Sequence, residues 1–389
     1  MLCNFFVCYG CEEKIIYRYM KKDYLKLLVL SVLFFFKTTL IFSQLPKAKS
    51  ESEYPKSSNP FEVEIDPKSY LVSDFCESLV PLNRILELNK WYVWGTSPIL
   101  DDKGKVHVFF SRWKGGFDDW LTQSEIAHAV AEKPEGPYKV IGTVLKGRGG
   151  DFWDANTIHN PTIHKVGNKY VLFYIGNNLS ISTRNNAHHA STQRIGMAVS
   201  DNLYGPWKRI SDQKPILEVN SDSTRWDSYL TTNPAFLQNK NGQYWLYYKS
   251  WDRNNDGLRK MGLAIAEQLE GPYVPIKENP IVNFSALNKE VEDAYVFYYK
   301  NKYFMLMRDM GVIHPHVGIM MESNDGINWS KPTLGYRNSE FYFGGAVARF
   351  ERPQVLISNG IPTHLFLALK GGKYNTSSAV VLKINNQKF

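Results

Sequence analysis

From Trp91 to the C-terminus the sequence restates one unit of roughly 60 residues five times, and a chain with that recurrence has few folds open to it. Each unit begins on a short entry. These are Ser97-Pro98-Ile99-Leu100, Asn160-Pro161-Thr162-Ile163, Asn233-Pro234-Ala235-Phe236, Glu292-Asp293-Ala294-Tyr295 and Arg352-Pro353-Gln354-Val355. Their first positions are 63, 73, 59 and 60 residues apart. A turn and a strongly β-prone run come next, as in GNKYVLFY (Gly167 to Tyr174) and GQYWLYY (Gly242 to Tyr248). A third strand follows, typified by Met261-Gly262-Leu263-Ala264, and ends in turns such as Tyr204-Gly205-Pro206-Trp207 and Glu270-Gly271-Pro272-Tyr273. A β-sandwich would not repeat a Gly-Pro-aromatic turn at fixed phase. Four short strands per unit, closed into a ring so that each blade buries its faces on its neighbours, account for the pattern. The expected fold is all-β, a five-bladed β-propeller with a short N-terminal extension. The 23 Tyr, 22 Phe and 10 Trp suit such interblade packing.

The N-terminus reads differently. Basic Met20-Lys21-Lys22 precedes an apolar run, Leu27 to Phe36, that is short for a membrane span of about 20 residues. Residues 1–43 are expected to be a signal peptide, with cleavage near Ser43 and a secreted or periplasmic product that has no membrane span; an uncleaved anchor is the alternative. Residues 44–90 are expected to be a linker and a short helical lead-in, and residues 91–389 the propeller. Removing the leader takes away six basic and three acidic residues, which leaves 40 against 35. That excess is spread along the chain without a Lys/Arg block, so nucleic acid is not an expected partner. Cys76 alone remains of four cysteines, so no intramolecular disulfide is expected.

The sequence of signals (polar-Pro entry, Gly-x-Tyr-aromatic strand, Gly-x-Ala strand, Gly-Pro-Trp/Tyr turn) resembles the five-bladed propeller glycoside hydrolases, family 43 first and family 117 more loosely. The resemblance spans Trp91 to Ile384. It implies an O-glycosyl hydrolase acting by inversion on oligosaccharides from plant or algal polysaccharides, without an organic cofactor. It also implies an Asp base at the entry to blade one, a second Asp tuning the acid near blade three, and a Glu acid on blade four. Carried over by position, Glu292 falls on the acid, while Ser97 and Asn233 stand where the two aspartates would be.

Replacement carboxylates lie nearby. Trp153-Asp154 and Trp226-Asp227 each sit six residues ahead of an entry, so Asp154 or Asp227 is expected to activate the water. The competing reading makes both pairs structural, with Asp capping a turn and Trp packing between blades. Asp293, next to Glu292, faces the other way along an extended strand. Expected substrate-binding residues are His159, Asn160, Asn233, Arg112, Trp113, Asp293, Arg308 and His316. Arg112 and Arg308 would grip a carboxylate or sulfate on an anionic sugar, or else pair with a neighbouring blade's Asp. His314-Pro315-His316 follows the fourth-blade strand, a placement that resembles that of the acid histidine in family 117; ordinary surface or core hydrogen bonding is the alternative for each histidine. No metal site is expected: His188 and His189 are adjacent rather than i, i+4, and no Cys accompanies them. A non-catalytic glycan-binding propeller and a polysaccharide lyase on the same scaffold remain alternatives.

Overall fold

The computed structural model describes residues 71–181, 190–210, 212–252, 257–346 and 348–389. The expected leader, nearly all of the linker and His188-His189 lie outside them. The chain enters through helix α1 (Asp74–Ser78), capped by Ser73, and strand β1 (Leu79–Ile85). Blade 1 is β2 (Tyr92–Leu100), β3 (Val106–Trp113), β4 (Glu125–Ala131) and β5 (Lys139–Leu145). Blade 2 is β6 (Ile158–Val166), β7 (Lys169–Gly176), β8 (Arg194–Ser200) and β9 (Lys208–Arg209). Blade 3 is β10 (Thr232–Gln238), β11 (Tyr244–Ser250), β12 (Lys260–Ala266) and β13 (Val274–Pro275). Blade 4 is β14 (Val291–Tyr299), β15 (Lys302–Asp309), β16 (Gly318–Ser323) and β17 (Thr333–Tyr336). Blade 5 is β18 (Glu351–Ser358), β19 (Ile361–Gly371) and β20 (Thr376–Ile384), completed by β1.

Each sheet is antiparallel, blades 1 to 4 being meanders, and the first strands of the five blades touch in a closed circuit: β2 with β6, β6 with β10, β10 with β14, β14 with β18, and β18 with β2. The five-bladed β-propeller is therefore present as the repeats predict. Its middle strands bury both faces. In β7 every residue after Lys169 is buried, which explains the continuous apolar run where a half-exposed strand would alternate. Between blades 2 and 3, Val171 and Phe173 pack on Phe236, Leu246 and Tyr248. Full burial of each such side chain contributes about 1.5–3 kcal/mol. Among the described residues, no helix is long and apolar enough to cross a membrane.

The lead-in differs from expectation. Only Asp74–Ser78 is helical; Leu79–Ile85 is a strand paired antiparallel with β20, with Leu79 opposite Ile384 and Ile85 opposite Ala379. The propeller thus begins at Leu79 rather than Trp91. Blade 5, whose fourth strand the repeats do not supply, borrows it from the other end of the chain and so closes the ring.

Candidate active site

One backbone irregularity recurs in all five innermost strands and builds the site. Each strand slips register against its neighbour: between Trp94 and Ser97, His159 and Thr162, Thr232 and Ala235, Glu292 and Tyr295, and Glu351 and Gln354. At each bulge one residue takes positive φ: Gly95 at 60°, Asn160 at 50°, Asn233 at 50°, Asp293 at 61° and Arg352 at 54°. Gly, Asn and Asp accept that conformation readily, whereas an arginine is strained there. The residues just ahead of the bulges (Trp94, His159, Thr232, Glu292 and Glu351) all line one cavity of about 330 Å³, a size usual for small-molecule sites. Against this register the expected entries are in phase at Asn160, Asn233 and Arg352, two residues late at Ser97 and one early at Glu292.

The bulge residues form the floor. Asp293 accepts from Asn233 Nδ2 and from the Arg352 backbone N–H at 3.1 Å, and the Arg352 guanidinium lies 3.4 Å away. Arg352 also reaches the Asn160 carbonyl at 3.4 Å. A Cβ on Gly95 would stand in ordinary contact, 3.4 Å from Arg352 Nε, so it is the positive φ rather than lack of room that favours glycine there. These contacts hold the strained arginine in place.

Above the floor two glutamates meet opposite environments. Glu292 faces three cations: Lys249 Nζ at 2.8 Å, Arg259 Nε at 3.3 Å, and Arg308. Burial alone would raise its pKa, but Lys249, Arg259 and Arg308 reverse that and hold the carboxyl far below the usual range. Glu351 is raised instead. Burial is the main cause; Arg308 and Arg349, at 3.2 and 2.6 Å, oppose it, and the charges of Glu292 and Asp293 add to it. Oxygens of Glu292, Asp293 and Glu351 all lie within 4.8 Å of one another. A cation could bridge such a trio, but each carboxylate already faces a lysine or arginine. The other wall is aromatic, with Trp94, Trp113, Phe117 and Trp120 from blade 1 and its β3–β4 connection. Trp94 and Phe117 meet edge to face at 5.3 Å.

The cavity gathers Glu292, Asp293, His159, Asn160, Asn233, Trp113 and Arg308 from among the expected residues. It does not gather the rest. Asp154 is fully buried elsewhere, bound by Arg148 Nε at 2.5 Å, Arg209 Nε at 3.1 Å and the Tyr174 hydroxyl at 3.0 Å. Asp227 likewise accepts from the Tyr248 hydroxyl at 3.1 Å. In both blades the preceding Trp stacks on that tyrosine, at 5.9 Å for Trp153 and 5.5 Å for Trp226. The glycine of the third strand makes the room: a Cβ on Gly196 or Gly262 would lie 2.6 Å from the tryptophan ring. The Trp-Asp pairs are thus a repeated packing device, and neither Asp reaches a water in the cavity. Ser97 ties inner strands together, donating to Gln354 Oε1 at 2.9 Å and accepting from the Ile163 N–H at 3.0 Å. Arg112 points off the opposite face of β3 from Trp113, paired with Glu125 at 2.8 Å and lying over Trp91. His316 stays outside the lining, on the loop whose turn Asp309 organises through four backbone N–H groups. Glu292 is in the cavity but is held ionised, so it has no proton to donate as an acid.

Sequence reasoning missed Glu351, Arg259 and Arg349. Glu351 had a signal: Glu351-Arg352 repeats Glu292-Asp293 in register one blade on.

No protein-family model matches the sequence, and no curated protein does. Solved structures do match. A family 117 glycoside hydrolase, Zg3597, produced by the marine bacterium Zobellia galactanivorans, superposes with a TM-score of 0.61 at 18% identity, over 79% of this chain and 89% of that one. A GH43_1 enzyme from Xanthomonas citri gives 0.53 at 15% identity, over 80% and 92%. CoXyl43, a GH43 β-xylosidase/α-arabinofuranosidase from a compost microbial metagenome, gives 0.53 at 16%, over 78% and 94%. The chain has the five-bladed β-propeller fold of family 117 and family 43 glycoside hydrolases.

Proposed function

We propose that this chain is a glycoside hydrolase that seats a saccharide in the axial cavity and protonates the leaving oxygen with Glu351. The observation that carries the reading is a pair of neighbouring glutamates lining one cavity with different partners: Glu292 faces Lys249, Arg259 and Arg308, which hold it down, while Glu351, facing Arg308 and Arg349, is pushed up by burial. Carboxyls separated in this way divide into one that keeps its proton and one that stays charged. Glu351 supplies the proton as the glycosidic bond breaks. Glu292 stays negative and, with its three cations, fixes the charge pattern around the departing sugar. The tryptophan wall offers apolar faces on which a sugar ring can lie, and the likeness to glycoside hydrolases, one of them solved with xylotriose, supports a carbohydrate ligand.

Plant or algal oligosaccharides are the proposed substrates. Arg259 and Arg349, whose side chains are 30% and 49% exposed, are available to an acidic substituent on the sugar. The leader expected over residues 1–43 supports action in the periplasm or medium. Reducing-sugar release from a panel of xylans, arabinans, agars and pectic fragments tests the proposal. Cleavage without an ultraviolet-absorbing unsaturated product is the expected outcome. Binding without cleavage, or the appearance of such a product, contradicts it.

A further inference from the structure

We propose that His159 is the base that takes the proton from the attacking water, through Nδ1, from the wall opposite Glu351. The inference rests on the glycosidase reading and supplies the other half of its chemistry. Inversion needs an acid and a base on opposite faces of the sugar, about 6.5–9.5 Å apart when both are carboxyls. Glu292, Asp293 and Glu351 cannot fill both roles, because their oxygens crowd within 4.8 Å on adjacent blades 4 and 5. Of the five residues ahead of the bulges, that leaves Trp94, His159 and Thr232, and only the imidazole takes up a proton. Blade 1 separates blade 2 from blade 5, and blade 3 separates it from blade 4. His159 therefore confronts both glutamates across the ring.

Its surroundings suit the task. His159 Nε2 lies 3.1 Å from Gln193 Oε1, which can only accept and which also receives the Thr232 hydroxyl at 3.3 Å. Nε2 thus carries the hydrogen and Nδ1 the lone pair. The residue is 1% exposed, and among the described residues Nδ1 has no hydrogen-bond partner even though the side chain lines the cavity. A buried acceptor with no donor marks a place for a ligand hydroxyl or a water. The Trp120 ring meets the imidazole edge-on at 5.0 Å and holds its plane.

Burial pushes His159 down to about 3; the Gln193 hydrogen bond opposes this, and the charges of Arg352 and Lys249 add to it. The ring is therefore neutral at ordinary pH, with a basicity near that of the carboxylates that usually serve as bases. In the step, water oxygen bonds to the anomeric carbon while its proton passes to Nδ1. The glycosidic C–O bond breaks with its electron pair going to the leaving oxygen, which takes the proton of Glu351. The imidazolium then yields its proton to solvent, and Glu351 regains one.

Asp118, exposed on the β3–β4 connection, is the one other carboxylate in the lining among the described residues and so the rival base. Wild type, H159A, H159Q and D118N are compared on 4-nitrophenyl glycosides and oligosaccharides, with the anomer of the first product followed by proton NMR. The expected result is an inverted product from wild type and a kcat lowered about 10²–10⁴-fold in both His159 variants. Azide should then restore turnover in H159A and give the inverted glycosyl azide. H159Q fills the cavity, which separates loss of the base from collapse of the wall. A retained product, a His159 variant within about threefold of wild-type kcat, or loss and azide rescue in D118N instead overturns the base while leaving the glycosidase reading standing. A wild type that binds the panel but cleaves none of it overturns both.

Discussion

A carboxyl group delivers a proton best where its surroundings favour the protonated form; burial pushes Glu351 up, while Lys249, Arg259 and Arg308 hold Glu292 down. Their difference comes from partners that sequence position alone does not reveal. Lys249, Arg259 and Arg308 reach Glu292 from the end of β11, the approach to β12 and the end of β15, and only the folded ring brings them together. Glu292 was legible as a pocket residue because it opens a recognisable entry, yet its protonation was not. The same limit applies to Asp154, whose regular spacing ahead of Asn160 fits a functional loop and a packing motif equally well. Its two arginines and Tyr174 decide for packing. Asp154→Asn is accordingly expected to lower stability by about 3–5 kcal/mol, as breaking a buried ion pair does, with kcat on any cleaved glycoside unchanged. Urea denaturation and steady-state kinetics on the one variant check this, and a selective loss of kcat would restore Asp154 to the chemistry.

At the scale of elements, local signals carried far. The Gly-Pro-aromatic turns, the Gly-x-Ala third strands and the aromatic second strands marked five blades. Entry phase was less secure, since Ser97-Pro98 imitates the Asn-Pro entries two residues past the bulge at Gly95. Strand β1 was not legible at all. Its partner, β20, lies almost 300 residues away, and its buried Leu79 and Ile85 flank a mostly exposed middle with no clean alternation. Nothing local distinguishes such a strand from a short helix. A chain lacking residues 1–86 would leave the edge of β20 bare and blade 5 with three strands. That truncation is expected to abolish cooperative thermal unfolding or to drive association through the open edge. A monomer with an unchanged Tm, seen by circular dichroism and size exclusion, would show that β1 is dispensable.

For the whole molecule, burial between blades and in the cavity wall traps histidines in neutral form. Burial pushes His128, His159 and His164 down to about 3 and His364 to about 4. In the unfolded chain each titrates near 6.5, so below that pH the unfolded state binds protons that the folded state refuses. Stability should therefore fall as pH drops from about 6.5 toward 3, by an order of 2 kcal/mol at pH 5 for each fully buried ring. Glu292 works in the same direction at lower pH, because its depressed pKa contributes stability that disappears as it is protonated. Urea midpoints measured between pH 7 and 4 should decline steadily; a flat profile would mean that the rings reach solvent.

The central claim is that the axial cavity breaks glycosidic bonds with Glu351 as the proton donor. It is tested most directly by comparing kcat/KM of Glu351→Gln on an oligosaccharide and on its 4-nitrophenyl glycoside. A sugar leaving group needs the proton and nitrophenolate does not. The account predicts a loss of about 10²–10⁴-fold on the oligosaccharide with near wild-type turnover of the nitrophenyl compound. Equal losses on both substrates, or no loss on either, would contradict it.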